Sequence, residues 1–302
     1  MEFRASGNPT DETKKPVNRW SQDRRLEFID FRLRWDGQLN RSDLTEFFGI
    51  SIPQASLDLA RYLDLAPDNA AYDRSAKLYL AAVSFAPVFA GNHASRFLNE
   101  LLALRTGLLP PDAAFMGWSP PVEVVPTPGR AVDPDILRAF LRAIREHQTL
   151  GVRYQSMSRP EPLSRRLSPH ALGHDGFRWH VRAFCHTRKA FRDFVLGRVL
   201  AVESEEDVVV DASEDTEWHN ELTLVLEANP ELPAAHRRVI ELDYGMLNGR
   251  LELKCRQSLL FYALKRLGLD DGAVGKTEVR HLVLNNRAAL AEYLDKPRTT
   301  QS

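Results

Sequence analysis

Hydrophobic positions between residues 18 and 81 recur with helical spacing, interrupted by short polar breaks. A first helix is predicted from Ser21 to Trp35, and Asp36-Gly37 ends it. Asn40 or Ser42 can cap a second helix that stops at Gly49, and Ser51 can cap a third from Ile52 to about Tyr62. The third helix is predicted to bury an apolar stripe of Ile52, Ala55, Leu57, Leu59, Tyr62 and Leu63. Its outward positions are then Gln54, Ser56, Asp58 and Arg61.

Two short helices joined by a tight Gly-Ile-Ser turn predict a helix-turn-helix whose second helix can enter a DNA major groove. The strand-like stretch from Tyr72 to Ala81 carries two cations and is typical of a wing beside that groove. A helical hairpin without a DNA role is the alternative, because residues 18–80 hold 9 basic and 10 acidic side chains. The candidate DNA-binding residues are Arg41, Ser51, Gln54, Ser56, Arg61, Arg74 and Lys77.

The next segment, residues 82–132, reads as a helical and proline-rich linker that also contributes to dimerisation. Helical pieces are expected at Val83 to Phe89 and at His93 to Arg105. Six prolines between Pro110 and Pro128 then mark a domain boundary, and Asp133-Pro134 opens a helix that runs to about Gln148.

From Leu150 to Val202 the pattern changes to period-two alternation, which is typical of β-strands. The strands are expected near 152–157, 166–174, 177–186 and 193–202, and together they predict a small Sm/SH3-like barrel. In the third strand, Arg178, His180 and Arg182 fall on one face, and Phe177, Trp179, Val181 and Ala183 fall on the other. The rest of the chain predicts an α+β unit with strands at 222–227, 239–244 and 250–255 and helices at 258–267 and 287–294.

Charge is distributed unevenly, although the net charge of the 302 residues is only -1. Residues 133–202 carry 13 basic and 6 acidic side chains, whereas residues 203–295 carry 10 and 19. Most of the basic residues are arginines, whose guanidinium groups bind phosphates through paired hydrogen bonds. The alternative is an interaction module in which the basic centre docks the acidic third domain of a partner subunit.

Several classes of protein are disfavoured. No run of eighteen apolar residues and no signal peptide occurs, so we expect a cytoplasmic protein without a membrane partner. The two cysteines are far apart and have no clustered histidines, so we expect neither a metal site nor a cofactor. Without a P-loop, a GxGxxG, an HExxH or paired carboxylates in the basic block, we expect no catalytic residues and no enzyme.

The central pattern resembles the WYL domain of bacterial ligand-responsive transcription regulators. The residues that carry the resemblance are Tyr154-Gln155-Ser156-Met157-Ser158, Arg165-Arg166-Leu167-Ser168-Pro169-His170, Trp179-His180-Val181-Arg182-Ala183-Phe184-Cys185 and Phe191-Arg192-Asp193-Phe194-Val195-Leu196-Gly197-Arg198. With the flanking segments, the chain after Asn18 is similar to winged helix-turn-helix, WYL and WCX repressors encoded beside anti-phage systems of the CBASS and BREX type. The resemblance implies a homodimer that binds an inverted-repeat DNA operator and responds to a nucleotide or oligonucleotide effector.

The resulting prediction is a multidomain α+β regulator. Its parts are a disordered tail (1–17), a winged helix-turn-helix (18–81), the linker (82–132), a WYL-like sensing domain (133–210) and a WCX-like C-terminal domain (211–302). Arginines can bind the effector phosphates and aromatic side chains can stack on its bases. The candidate effector contacts are Tyr154, Ser156, Ser158, Arg166, His170, Trp179, His180, Arg182, Phe194 and Arg198. A ligand-dependent activator of the DNA-damage type and a non-catalytic nucleic-acid-sensing scaffold remain the alternatives.

Overall fold

A computed structural model describes residues 16–270 and 280–294 of the chain. The chain divides into two compact units, residues 1–127 and residues 128–302. The predicted disordered tail lies mostly outside the described residues, and the first helix begins at Pro16.

The first unit consists of helices around a small antiparallel sheet. Its elements are α1 (Pro16–Asp36), β1 (Gln38–Leu39), α2 (Arg41–Phe48), α3 (Ile52–Leu65), β2 (Ala70–Asp73), β3 (Leu78–Ala81) and α4 (Ala94–Arg105). The strands lie in the order β1-β3-β2, so β2 and β3 form the wing hairpin and β1 ties it to the end of α1. This arrangement confirms the predicted winged helix-turn-helix.

Local sequence signals fix the turn between α2 and α3. The side chain of Asn40 accepts from the Asp43 backbone N–H, and the Asp43 carboxylate accepts from the Asn40 backbone N–H. Gly49 ends α2 with φ +64°, a left-handed conformation that suits glycine. Ser51 then caps α3, with Pro53 in the first helical turn. The predicted caps at Asn40 and Ser51 and the stop at Gly49 are confirmed, whereas α1 starts at Pro16 rather than at Ser21 and α3 runs on to Leu65.

The core of this unit extends beyond the predicted DNA-binding domain. Leu101 of α4 and Phe115 of the following segment are buried with Phe28 and Leu44 of the helix-turn-helix. The segment treated as a linker therefore contributes to the N-terminal core, while the predicted domain boundaries stay predictions. The helical piece predicted at Val83 to Phe89 is wrong, because this stretch is irregular in the structure.

The second unit begins with a helix on a sheet. Its first elements are α5 (Pro134–Glu146), β4 (Thr149–Tyr154), β5 (Leu163–His174), β6 (Trp179–Cys185), β7 (Ala190–Val195) and β8 (Val199–Glu206). Helix α5 is capped by Asp133 and packs on β5, and Phe140 and Leu150 are fully buried in their shared core. The strands lie in the order β7-β6-β5-β4-β8.

The predicted barrel is not confirmed, because no sheet in the described ranges closes on itself. Strands β7 and β8 are the two open edges of the sheet. A 3-10 turn, Leu196–Arg198, separates β7 from β8, whereas the sequence pattern predicted one continuous strand there.

The C-terminal part of this unit is a second, smaller α+β assembly. It contains α6 (Thr216–His219), β9 (Glu221–Ala228), α7 (Ala234–Asp243), β10 (Arg250–Arg256), α8 (Leu260–Arg266), β11 (Leu282–Leu284) and α9 (Ala291–Leu294). The strand order is β10-β9-β11. The strand predicted at 239–244 is wrong: it lies in and just after α7, of which Ile240 alone is buried. The adjacent Val239 and Ile240 suggested a strand, but Pro233 followed by two alanines favours a helix start.

None of the helices placed by the structure combines the length and apolar character needed to cross a membrane.

Candidate functional site

The exposed face of α3 is the candidate DNA-reading surface. Pro53, Leu57, Ala60, Arg61 and Asp64 are all exposed, and their spacing places them on one stripe of the helix. The opposite face packs Ala55, Leu59 and Tyr62 into the core. The helix is therefore held firmly while one continuous side remains available to a groove.

Arg41, at the start of α2, joins the two helices to the wing. Its Nε donates to Ser56 Oγ (3.0 Å) and one Nη donates to Tyr79 Oη (3.5 Å). Its guanidinium also lies over the Tyr72 and Tyr79 rings, at 5.4 and 5.9 Å from their centroids. Three elements are thus fixed around one cation, and the structure brings the predicted contacts Arg41 and Ser56 together.

The side chains of Ser51 and Gln54 form hydrogen bonds within α3. The Ser51 hydroxyl accepts from the Gln54 backbone N–H, and Gln54 Nε2 donates to Asp58 Oδ1 (3.2 Å). Asp58 is fully buried and pairs with Arg25 Nε at 2.6 Å. The prediction that Asp58 faces outward is therefore wrong, and its charge is neutralised behind the reading face.

The wing carries its cations at its tip. Arg74 and Lys77 are exposed in the turn between β2 and β3, where the Asp73 carboxylate accepts from the Ser75 and Ala76 backbone N–H groups. Lys77 has φ +56°, which closes the hairpin. Neither cation has an ion-pair partner among the described residues, so both are available to phosphates.

Two exposed apolar residues of α3 were assigned to the core by the sequence pattern. Ile52 is 66% exposed and Leu57 is 64% exposed. Leu57 lies four residues after Pro53 and four before Arg61, a spacing that could have placed it on the outward stripe. An apolar side chain on a groove-facing stripe suits contact with thymine methyl groups.

In the second unit, Arg182 of β6 lies in a buried cluster of carboxylates. Its Nε and one Nη donate to the two oxygens of Asp215 (2.7 and 2.8 Å), and further bonds reach Asp193 (3.2 Å) and Glu217 (3.0 Å). Asp215 Oδ2, which accepts from Arg182 Nε, is also hydrogen-bonded to His170 Nε2 (2.9 Å). Arg182 therefore links the sheet to the segment around α6.

The cluster is electrostatically unequal, because three carboxylates surround one guanidinium. Burial opposes ionisation of Asp215, but hydrogen bonds from Arg182 and His170 outweigh it and hold the pKa of Asp215 below its usual range. Burial raises the pKa of Asp193, and the Arg182 charge offsets this only in part. The same neighbours raise the pKa of Arg182 despite its burial, so the guanidinium stays charged.

His180 belongs to a second hydrogen-bonded group at the end of β6. Its Nε2 is hydrogen-bonded to Asp175 Oδ2 (2.9 Å), which also accepts from Arg178 Nε (3.1 Å). Burial acts against the charged form of Asp175, but bonds from His180 and from two backbone N–H groups lower its pKa to about 2. The His180 ring lies 4.9 Å from the ring of Tyr262 in α8.

Both faces of β6 are thus covered, which the alternating pattern did not predict. Val181 and Ala183 are buried against the core under α5, and His180 and Arg182 are buried under the C-terminal segment. Trp179, at the start of β6, and Phe177, in the turn before it, are exposed, so the face predicted to hold them with Val181 is buried only from Val181 onward.

The other candidate effector contacts fall into two groups. Tyr154 and Phe194 are buried with their rings 5.3 Å apart, and the Tyr154 hydroxyl accepts from the Val195 backbone N–H. Exposed or partly exposed positions are Ser156, Ser158, Arg166, Trp179 and Arg198. Arg166 pairs with Glu206, and the two serine hydroxyls lie 3.1 Å apart. The structure therefore separates a buried group from an accessible one, and does not gather all ten around one opening.

No cluster of three or more histidine, cysteine or acidic side chains that could hold a metal ion is found in the part of the chain that the structure describes.

Three family models match this chain. They are the BrxR transcriptional regulator winged helix-turn-helix domain over residues 21–103, the WYL domain over residues 135–204 and the BrxR transcriptional regulator C-terminal dimerization domain over residues 221–290. The three matches correspond to the helix-turn-helix with its wing, to the five-stranded sheet with α5, and to the C-terminal assembly.

Whole-chain relatives share one description, "DNA-binding transcriptional repressor CapW". The chain is 48% identical to that of Pseudomonas aeruginosa (91% of this chain, 93% of the relative) and 46% identical to that of Stenotrophomonas maltophilia (93% and 94%). It is 44% identical to that of Escherichia coli strain KTE188, over 94% of this chain and 96% of the relative.

Proposed function

The chain belongs to the family of CapW DNA-binding transcriptional repressors, and we propose that it represses its own operon by binding an inverted repeat as a homodimer. The observation that carries the proposal is the exposed stripe of α3, flanked by Arg41 and by the unpaired cations of the wing. A recognition helix reads base edges while cations beside it hold the phosphates. Arg61 and Leu57 are the proposed base-contacting residues.

The C-terminal assembly supplies a surface that suits the homodimer. Around α7 it exposes Val239, Leu242, Tyr244 and Leu247, of which Leu242 is 77% and Leu247 is 80% exposed. Val239 and Leu242 lie three residues apart and therefore on the same face of α7, and exposed apolar side chains on one face typically mark protein interfaces. This surface lies inside the region matched by the dimerization-domain model. We therefore place the contact between copies there.

We extend the proposal to an anionic nucleotide or oligonucleotide effector at the WYL domain. Ser156, Ser158, Arg166 and Trp179 are accessible for direct contact. We assign no direct contact to Arg182 or Tyr154, since Arg182 is already bonded to carboxylates and the Tyr154 hydroxyl already accepts a backbone bond. The effector relieves repression only if it binds the DNA-free form of the dimer more tightly.

The resemblance to repressors encoded beside anti-phage systems leads us to propose that the regulated genes form a phage-defence operon. A transcriptional reporter tests the repressor function directly. The upstream region of the operon is fused to a fluorescent protein and expressed with the wild-type chain, with Arg61→Ala, or with Arg105→Ala as an exposed arginine of α4 outside the helix-turn-helix and wing.

We expect low fluorescence with the wild type and with Arg105→Ala, and raised fluorescence with Arg61→Ala. Equal fluorescence with and without the wild-type chain would refute repression. Higher fluorescence in its presence would instead favour the ligand-dependent activator.

A further inference from the structure

A cleft of about 420 Å³ lies between the turn that joins β5 to β6 and helix α8. The turn contributes Asp175, Phe177 and Arg178, and α8 contributes Phe261, Tyr262, Lys265 and Arg266. Arg130, from the segment before α5, also lines it. This volume falls in the range of sites that bind small molecules, about 300–1,000 Å³.

The charge of the cleft is strongly positive. Four cations and a single carboxylate line it, and that carboxylate, Asp175, is already bonded to Arg178 and His180. Arg130, Lys265 and Arg266 have no ion-pair partner in the described ranges 16–270 and 280–294. Like charges gathered in one concavity repel each other, and an anion bound there would relieve that repulsion.

The turn is shaped to hold Arg266 beside the cleft. Gly176 has φ +95°, and a Cβ at this position would overlap the Arg266 guanidinium. The glycine therefore lets the arginine side chain lie directly across the turn backbone. Packing of this kind restricts the guanidinium, so less rotamer freedom is lost when a ligand binds.

An exposed aromatic ring, that of Phe177, also lines the cleft. Phe177 is 69% exposed, which leaves a large apolar ring in contact with water. Base–aromatic stacking is a common means of binding nucleotides, because every base has a flat face that can lie on such a ring. The cleft thus combines a group of cations with an exposed aromatic ring.

We propose that this cleft binds a phosphate-bearing nucleotide, with the phosphate held by Arg130, Lys265 and Arg266 and the base stacked on Phe177. The ligand is either a free mononucleotide or the 5′-phosphorylated end of a short single strand, which present the same chemistry. The site shares no residue with the effector contacts proposed at the WYL domain. Its occupation can be measured without reference to repression.

Isothermal titration of the full chain tests the proposal with two probes, AMP and 5′-phosphorylated dT4, in magnesium-free buffer. Adenosine and inorganic phosphate are titrated as the separate halves of the ligand. Lys265→Glu, Arg266→Glu and Phe177→Ala change the cleft, and all three positions are exposed. Arg188→Glu, an exposed arginine in the β6–β7 turn, is the matched charge control. Arg166→Glu changes the proposed effector surface instead.

We expect at least one probe to bind, with affinity reduced about tenfold or more by either charge reversal, since each removes a charge-assisted contact. Phe177→Ala should weaken nucleotide binding and leave phosphate binding unchanged. Binding of both probes indicates a free nucleotide, and binding of dT4 alone indicates a strand end. Arg188→Glu should bind like the wild type. Arg166→Glu should keep the binding that the cleft provides and lose only what the effector surface contributes.

Two results would overturn the proposal: neither probe binds the wild type at millimolar concentration, or both charge reversals bind as tightly as the wild type. Loss of binding in Arg166→Glu with retention in Arg266→Glu would assign the ligand to the effector surface instead. Thermal melts confirm folding, and Lys265→Gln is a milder second variant. Operator binding measured on the same samples separates failure of this site from failure of the repressor function.

Discussion

Arg182 and Asp215 form a bidentate ion pair that is almost completely excluded from solvent. Two nitrogen–oxygen distances of 2.7 and 2.8 Å join them, and their side chains are 5% and 1% exposed. They lie 33 residues apart in the chain, one on β6 and the other at the N-terminal cap of α6. The pair therefore attaches the WYL sheet to the segment that leads into the C-terminal assembly.

Replacing Asp215 by Asn should destabilise the second unit by about 2–4 kcal/mol at pH 7, because it leaves a buried guanidinium with less compensating charge. Chemical denaturation of the full chain measures this change. Glu161→Gln, which alters an exposed carboxyl in the loop before β5, should leave the free energy of unfolding unchanged.

The cost of Asp215→Asn should also depend on pH. Asp215 has a lowered pKa in the folded chain, so the unfolded chain takes up the proton first as the pH falls. The stability that the carboxylate contributes is present above about pH 4 and is lost progressively below it. The difference between wild type and variant should therefore shrink from pH 6 to pH 3, and a constant difference would contradict the assignment.

Gly49→Ala should weaken the turn of the helix-turn-helix. A residue with a Cβ at φ +64° costs about 1–2 kcal/mol, although the space around this glycine is open. Thermal unfolding of the full chain measures the loss. Gly129→Ala, in the second unit, is the control, since Gly129 has open space and no left-handed backbone. A Gly49→Ala chain that melts like Gly129→Ala and the wild type would show that the turn is not strained.

Leu242→Glu should dissociate the homodimer. A carboxylate on the exposed apolar surface of α7 would be buried without a partner, so the dimer dissociation constant should rise about tenfold or more. Sedimentation equilibrium measures it. Leu200→Glu introduces the same charge at an exposed leucine of β8 and should leave the dimer intact. A dimer unaffected by Leu242→Glu would move the interface away from α7.

The sequence predicted the winged helix-turn-helix well because its signals are local. The helix ends are set by local bonds and backbone angles, at Asn40, Gly49 and Ser51. The sequence near each helix end is therefore sufficient to predict where it starts or stops. The prediction that Asp58 faces outward was wrong for the opposite reason. Its partner Arg25 lies 33 residues earlier, and no local pattern marks a polar residue that will be buried in an ion pair.

The central sheet was harder to predict because strand β6 is covered from both sides. Alternation along β6 correctly separated His180 and Arg182 from Val181 and Ala183, but it could not show that a distant segment carrying Asp215 and Tyr262 covers the polar face. The sequence shows that β6 is basic and that the segment carrying Asp215 and Glu217 is acidic. Only the fold shows that they neutralise one another.

Fluorescence anisotropy on the upstream DNA of the operon tests whether α3 is the recognition helix. Wild type, Arg61→Ala, Leu57→Ala and Arg105→Ala are compared at two salt concentrations and with unrelated competitor DNA. We expect a specific, salt-dependent complex for wild type and Arg105→Ala. Arg61→Ala should lose about 1–3 kcal/mol of binding free energy per half-site, and Leu57→Ala should lose less. Unchanged binding in Arg61→Ala and Leu57→Ala, or no specific complex with the wild type, would contradict the assignment of α3 as the recognition helix.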